Sequence, residues 1–185
     1  MNLYILRHAS AGVKRANPVL DHKRPLDKDG KRHCIQLANV LNTMKLQFDF
    51  IVSSPLKRSM QTASLVATEM GYEAKILPSA ALAPDATFAQ FQKLLRECAG
   101  YENLLVVGHN PNLTDFIGSL LVPAVYNPTD DSSTGVAPVR LRKGSLARIN
   151  LARGPSVLHW LLDPRTVRAL YATSTVRSLR KTSRK

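Results

Sequence analysis

Along this chain, short unbroken apolar runs alternate with longer stretches in which apolar residues recur every three or four positions. The runs are NLYIL at 2–6, FDFIV at 48–52 and NLLVVG at 103–108, each ending at small or polar residues. Apolar runs of that length predict strands buried on both faces. Between them, Cys34, Ile35, Leu37, Ala38, Leu41 and Met44 keep helical spacing across Lys31–Met44, and Leu56, Met60, Ala63, Val66, Ala67 and Met70 keep it across 56–70. Each set predicts an amphipathic helix, the first preceded by the turn and amino-end signals Asp27, Asp29 and Gly30, the second stopped by Gly71. Weaker helical spacing covers 87–98 and 112–122.

Strands alternating with helices predict an α/β fold, a doubly wound, mostly parallel sheet with helices on both faces. The last two strands depart from that rhythm. Ser145–Leu151 and Val157–Leu162 are separated by the five residues ARGPS, short enough for a hairpin, so an antiparallel pair is expected near the C-terminus. Residues 123–143, with Pro123, Pro128, Pro138 and a cluster of Asp, Ser and Gly, read as one long mobile or lid-like loop. A length of 185 residues with 44% hydrophobic content fits a single domain, here expected over 1–163.

The charge changes the picture at one end. The chain carries a net +13, and 164–185 holds Arg165, Arg168, Arg177, Arg180, Lys181, Arg184 and Lys185 with no acidic residue. That segment reads as a basic, solvated and partly disordered tail able to attract polyanions. Nucleic acid is a poor fit, because no aromatic stacking surface or helix-turn-helix accompanies the charge. Two cysteines, Cys34 and Cys98, form neither a disulfide framework nor a zinc-ligand spacing and fit a reducing cytoplasm. No signal peptide and no apolar run of roughly 18 to 20 residues is present, so a soluble cytoplasmic protein without a membrane partner is expected.

In open parallel sheets the ligand crevice lies beyond the carboxyl ends of the strands. The first strand ends at Arg7 and His8, the second runs into SSPLKRSMQT with Arg58 one turn inside the next helix, and the third ends at Gly108, His109 and Asn110. Two histidines and two arginines gathered on one rim make an anion pocket. A neutral imidazole at His8 can attack phosphorus, and the guanidinium forks of Arg7 and Arg58 match phosphate oxygens while their field opposes protonation of His8. His109 can donate to the equatorial oxygens as charge spreads over them. No metal or other cofactor is required by that chemistry. Ser53 and Ser54 lack a G-x-S-x-G context and read as turn and cap residues. No functional role is assigned to His22, His33, His159, Cys34 or Cys98.

The segments LYILRHAS, HKRPLDKDGKRHC, VSSPLKRSMQTA, LLVVGHNPNL and GSLARINL, spread over about residues 1–162, resemble the histidine phosphatase superfamily, which includes the phosphoglycerate mutases, and more closely its SixA-type branch of phosphohistidine phosphatases. The resemblance implies a phosphoglycerate mutase-like fold and a hydrolase working through a phosphohistidine on His8, with Arg7, Arg58 and His109 completing the phosphate pocket. It implies as substrate a phosphorylated protein carrying phosphohistidine, or alternatively a small sugar or nucleotide phosphomonoester. A polyanion-binding protein with a vestigial pocket is the reading from another class. Two departures stand out: Ala9 follows His8 where the family usually has glycine, and the proton donor is not evident. Asp85 in LAPDATF is the candidate acid, with a helix amino cap as its other reading. Arg24 either reaches the phosphate or a phosphoprotein surface, or flanks the Pro25 turn. Asn110 either orients His109 at the pocket or caps the helix starting near Pro111.

Overall fold

The computed structural model describes residues 1–121, 139–151 and 156–182, with side chains described as far as Ser174. In chain order the elements are β1 (Asn2–Arg7), α1 (Pro18–His22), α2 (Lys28–Thr43), β2 (Phe50–Ser53), α3 (Lys57–Glu69), β3 (Leu77–Pro78), a 3-10 turn (Ala80–Leu82), α4 (Phe88–Glu97), β4 (Asn103–Gly108), α5 (Asn112–Leu121), β5 (Leu146–Asn150), β6 (Val157–Leu162) and α6 (Pro164–Thr182). The strands form a six-stranded sheet in the order β3-β2-β4-β1-β5-β6. Neighbours from β3 to β1 are parallel, and β5 and β6 close the sheet antiparallel, as the short connection between them requires. Among the described residues no helix is long and apolar enough to cross a membrane.

The continuous apolar runs follow from burial on both faces. Along β1, Tyr4 and Leu6 join a core with Leu37 and Leu41 of α2 and Val66 of α3, while Leu3 and Ile5 face Phe91 of α4 and Phe116 and Ile117 of α5. All four β1 residues are buried, each such side chain contributing about 1.5–3 kcal/mol. A strand held so firmly is a rigid mount for whatever follows it.

Four sequence expectations change. Helix α2 begins earlier than expected, capped by Asp27, whose carboxylate accepts from the Gly30 backbone N–H; Gly30 therefore lies inside the first turn. Glycine is needed there because a Cβ would overlap the carbonyl of Ser10. Asp85 is not the amino cap of α4: Thr87 accepts from Gln90 N–H and the Gln90 side chain answers the Thr87 N–H, a capping box. Asn110 does not cap α5, since its side-chain amide donates to the Leu141 carbonyl at 3.1 Å. The basic C-terminal segment, expected as a solvated tail, begins as a helix whose Val167 is fully buried in the α2 side of the core, with Tyr171 packed beside it. An amphipathic turn that buries a valine overrides the charge of its exposed neighbours Arg165 and Arg168. Of the expected 123–143 loop, 123–138 lies outside the described residues, while Val139 and Leu141 are buried.

Candidate active site

Parallel register brings the catalytic candidates together. Arg7 of β1 pairs with Gly108 of β4, and the His8 N–H donates to the Gly108 carbonyl at 3.0 Å, so His8 and His109 leave adjacent strands at the same level. Their ring centroids are 5.0 Å apart. On the other side of β4, Ser53 pairs with Val107, Ser54 N–H donates to the Val107 carbonyl, and the chain turns into α3, whose first turn carries Arg58 inward. The four groups line one cavity of about 860 Å³, together with Asp21, Arg24, Asn110 and Lys143.

The two imidazoles are wired in opposite senses. His8 Nδ1 lies 2.8 Å from the Ala9 carbonyl, which can only accept, so Nδ1 holds the proton and Nε2 presents a lone pair to the cavity. His109 Nε2 lies 2.9 Å from Ser54 Oγ and 3.2 Å from Ser59 Oγ, while its Nδ1 is buried without a partner. A serine hydroxyl can donate to Nε2 or accept from it; where it donates, the His109 proton is on Nδ1 and can be offered to a ligand. Burial is the main reason that His8 is pushed down to about 3, with Arg58, Arg7 and Lys143 adding to it. The arginine field foreseen from sequence is thus the lesser cause. Burial likewise pushes His109 down to about 2, helped by His8 and the arginines. Both rings are neutral at physiological pH.

Arg7 Nη1 donates to the Leu141 carbonyl at 2.8 Å, and the same carbonyl accepts from Asn110. Arg58 Nη1 donates to the Asp21 carbonyl at 3.0 Å and to Asp21 Oδ2 at 3.3 Å. Among the described residues each guanidinium is therefore held by one nitrogen, and the Nε of each is buried and unpartnered. Buried polar atoms left unsatisfied cost roughly 1–3 kcal/mol apiece, and three of the nitrogens in that state belong to residues that line this one cavity. An oxyanion with several acceptor oxygens satisfies them.

The remaining candidates stand farther out. Arg24 lines the cavity, but Nε and Nη2 engage Asp21 and Nη1 donates to the Gly12 carbonyl, which agrees with a structural role. Asn110 is at the pocket, its Oδ1 unpartnered. Asp85 is exposed and lines a side groove of about 510 Å³ that shares His22, Leu56 and Pro84 with the main cavity, so it stands at the rim and not beside His8. Sequence reasoning missed Asp21, Ser54 and Ser59 as site residues. Asp21 had a signal, being the acid in an otherwise basic stretch from Lys14 to Arg24. His33, given no functional role, is structural: Nε2–H donates to the Gly144 carbonyl at 2.8 Å. Among the described residues no group of three or more His, Cys, Asp or Glu could hold a metal ion.

Fold and site together define an α/β enzyme built to handle a phosphoryl group at the carboxyl ends of its central parallel strands. Comparison with known proteins narrows the class. The profile of the histidine phosphatase superfamily (branch 1) matches residues 3–81. An uncharacterized protein of Picosynechococcus is 32% identical over 89% of this chain and 98% of its own, and the phosphohistidine phosphatase SixA of Escherichia coli is 26% identical over 89% and 94%. The structure of the protein histidine phosphatase SixA complexed with tungstate superposes with a TM-score of 0.76 at 22% identity, covering 90% of this chain and 99% of that one. The chain belongs to the histidine phosphatase superfamily, on its SixA-like side, and is a phosphatase.

Proposed function

We propose that this phosphatase removes the phosphoryl group from phosphohistidine in a partner protein, through a covalent phosphohistidine on His8 and without a metal. The observation that carries the reading is the bare His8 Nε2 among the unpartnered Arg7 Nε, Arg58 Nε and His109 Nδ1. His8 Nε2 forms the bond to phosphorus as the bond from phosphorus to the departing imidazole breaks. The Nδ1–H bond to the Ala9 carbonyl steadies the positive charge that His8 gains. The free edges of Arg7 and Arg58 and the His109 Nδ1–H hold the equatorial oxygens as charge spreads over them. Water then attacks the phosphohistidine, releasing phosphate and restoring His8.

An imidazole leaving group needs less help from an acid than an alkoxide does, which suits a site with no carboxylic acid beside His8 among the described residues. Asp85 at the rim is the proton donor available to leaving groups that need one. The connection from α3 to β4 is taken up by β3, a 3-10 turn and α4, leaving no inserted lid between them, and the mouth is bordered by exposed Lys14, Arg15 and Lys143, which suits a large substrate. Such a substrate would place the enzyme in cytoplasmic signal transduction.

The test is turnover in chelator of a histidine-phosphorylated protein alongside an aryl phosphate and sugar and nucleotide phosphates. Turnover of the phosphoprotein, with loss of at least about 10³-fold in His8→Ala, is expected. Preference for a small phosphomonoester would move the substrate assignment to that class. Full activity in His8→Ala would remove the nucleophile.

A further inference from the structure

We propose that Asp21 is a positioning residue that fixes the Arg58 guanidinium, with Arg24 as its brace, so that the Nε edge of Arg58 is turned toward the transferred phosphoryl group. This rests on the reading above, in which Arg58 grips that group.

One carboxylate joins three parts of the rim. Asp21 Oδ1 accepts from Arg24 Nε at 2.8 Å and from the Arg15 backbone N–H at 3.0 Å. Asp21 Oδ2 accepts from Arg58 Nη1 at 3.3 Å and from Arg24 Nη2 at 3.5 Å, and the Asp21 carbonyl accepts from Arg58 Nη1 at 3.0 Å. The Asp21 side chain is 14% exposed and those of Arg24 and Arg58 are 10% and 7% exposed, so these pairs are little screened by water. The Arg15 N–H and then Arg24 and Arg58 hold the Asp21 carboxyl down to about 2, so it is ionised throughout the working range and acts as a fixed anion, not an acid.

The geometry separates the two arginines. Arg24 gives both nitrogens of its Nε–Nη2 edge to Asp21 and its Nη1 to the Gly12 carbonyl. It has no fork left for phosphate. Arg58 gives only Nη1, leaving its buried Nε unpartnered beside the cavity. A guanidinium pinned through one nitrogen can rotate little about its own plane, so the direction of the free edge is decided before substrate arrives. Because Arg58 sits at the amino end of α3, where a helix supplies positive and not negative potential, Asp21 is also the counter-charge that lets the cation remain buried there.

The test is a double-variant cycle, Asp21→Asn with and without Arg58→Ala, reading kcat/KM for the phosphoprotein or aryl phosphate well below the unfolding temperature. Asparagine keeps the shape and the main-chain carbonyl. With Arg58 present, Asp21→Asn should lower kcat/KM by about 10- to 100-fold, mainly in kcat, the size expected for a charged hydrogen bond. With Arg58→Ala already in place, it should cost less than about 3-fold. Equal losses in both backgrounds would make Asp21 a mere loop staple and overturn the proposal. A second readout does not depend on turnover: the Arg58 Nε–H resonance of the full chain should be slow to exchange and shift on Asp21→Asn. An unchanged resonance would also overturn it, whereas a wild-type protein inactive on every phosphate compound, with the resonance shifting as expected, would count against the enzymatic reading alone.

Discussion

The tips of β1 and β4 and the segment from Gly12 to Lys23 face the same cavity, yet they are held in different ways. At the strand tips the main chain does the work: His8 N–H donates to Gly108, Arg7 N–H to Ser145, and Gly144 N–H to the carbonyls of Arg7 and His8. The segment opposite has no such frame. Residues 12–20 are all exposed, α1 buries no residue, and its position rests on the Asn17 cap and the carboxylate of Asp21. The groups assigned to bond-making stand on backbone that packing over-determines, while the rim is held by a few charged contacts. Such a division lets residues 12–20 adapt to a partner's surface while Asp21 stays pinned to Arg24 and Arg58 and the reacting atoms stay in place.

Breaking the rigid side should have the largest effects. Gly144 has φ +81°, and a Cβ there would overlap the His33 ring. Gly144→Ala should lower stability by about 2–5 kcal/mol, read as a fall in the urea midpoint. A change below about 0.5 kcal/mol would show that this turn does not brace the strand tips.

An effect at least as large is expected from pH on the same side. His8 and His109 are lowered from the ordinary value of 6.5 to about 3 and about 2, so between these values the unfolded chain binds protons that the folded chain refuses. Stability is then greatest above 6.5 and falls as pH drops toward 3, by on the order of 3 kcal/mol for each ring at pH 4. His33, also lowered, acts in the same direction. Denaturant midpoints at pH 7 and 4 should fall less far apart in the His8→Asn, His109→Asn double variant. An equal fall would place the acid sensitivity elsewhere.

The smallest effect should come from the rim. Asn17 accepts from Val19 N–H at 2.9 Å and from Leu20 N–H at 3.4 Å. Asn17→Ala removes a cap worth about 1 kcal/mol, but at an element that buries nothing. Amide exchange at Val19 and Leu20 should quicken about fivefold while the global midpoint stays put. A midpoint that moved with the cap would mean that rim and strand tips are one cooperative unit.

Where local pattern and tertiary environment agreed, the chain could be read directly. The runs at β1, β2 and β4, the helical spacing of α2 and α3, and the late antiparallel pair all match the structure, because each is a burial pattern visible within a dozen residues. His8, Arg7, Arg58 and His109 meet at one cavity because each follows a strand whose end the pattern already marked. Asp85 was misread in its capping alternative although Thr87 and Gln90 spelled out the capping box. Asp21 and Ser59 stayed hidden for a different cause. Asp21 meets Arg58 across 37 residues and Ser59 meets His109 across 50, so no local spacing reports either contact.

By itself, the order of residues determined which segments become strands and helices and which polar side chains stand at strand ends, since burial of apolar faces obeys the periods 2 and 3.6. Only the tertiary structure decided the rest. Parallel register set the 5.0 Å between the two imidazoles, the Ala9 carbonyl fixed the proton of His8 on Nδ1 while two serine hydroxyls engaged Nε2 of His109, and burial more than charge kept both rings neutral. Tautomer and charge depend on what lies within about 3 Å of a nitrogen and on how much water reaches it, and chain order alone specifies neither.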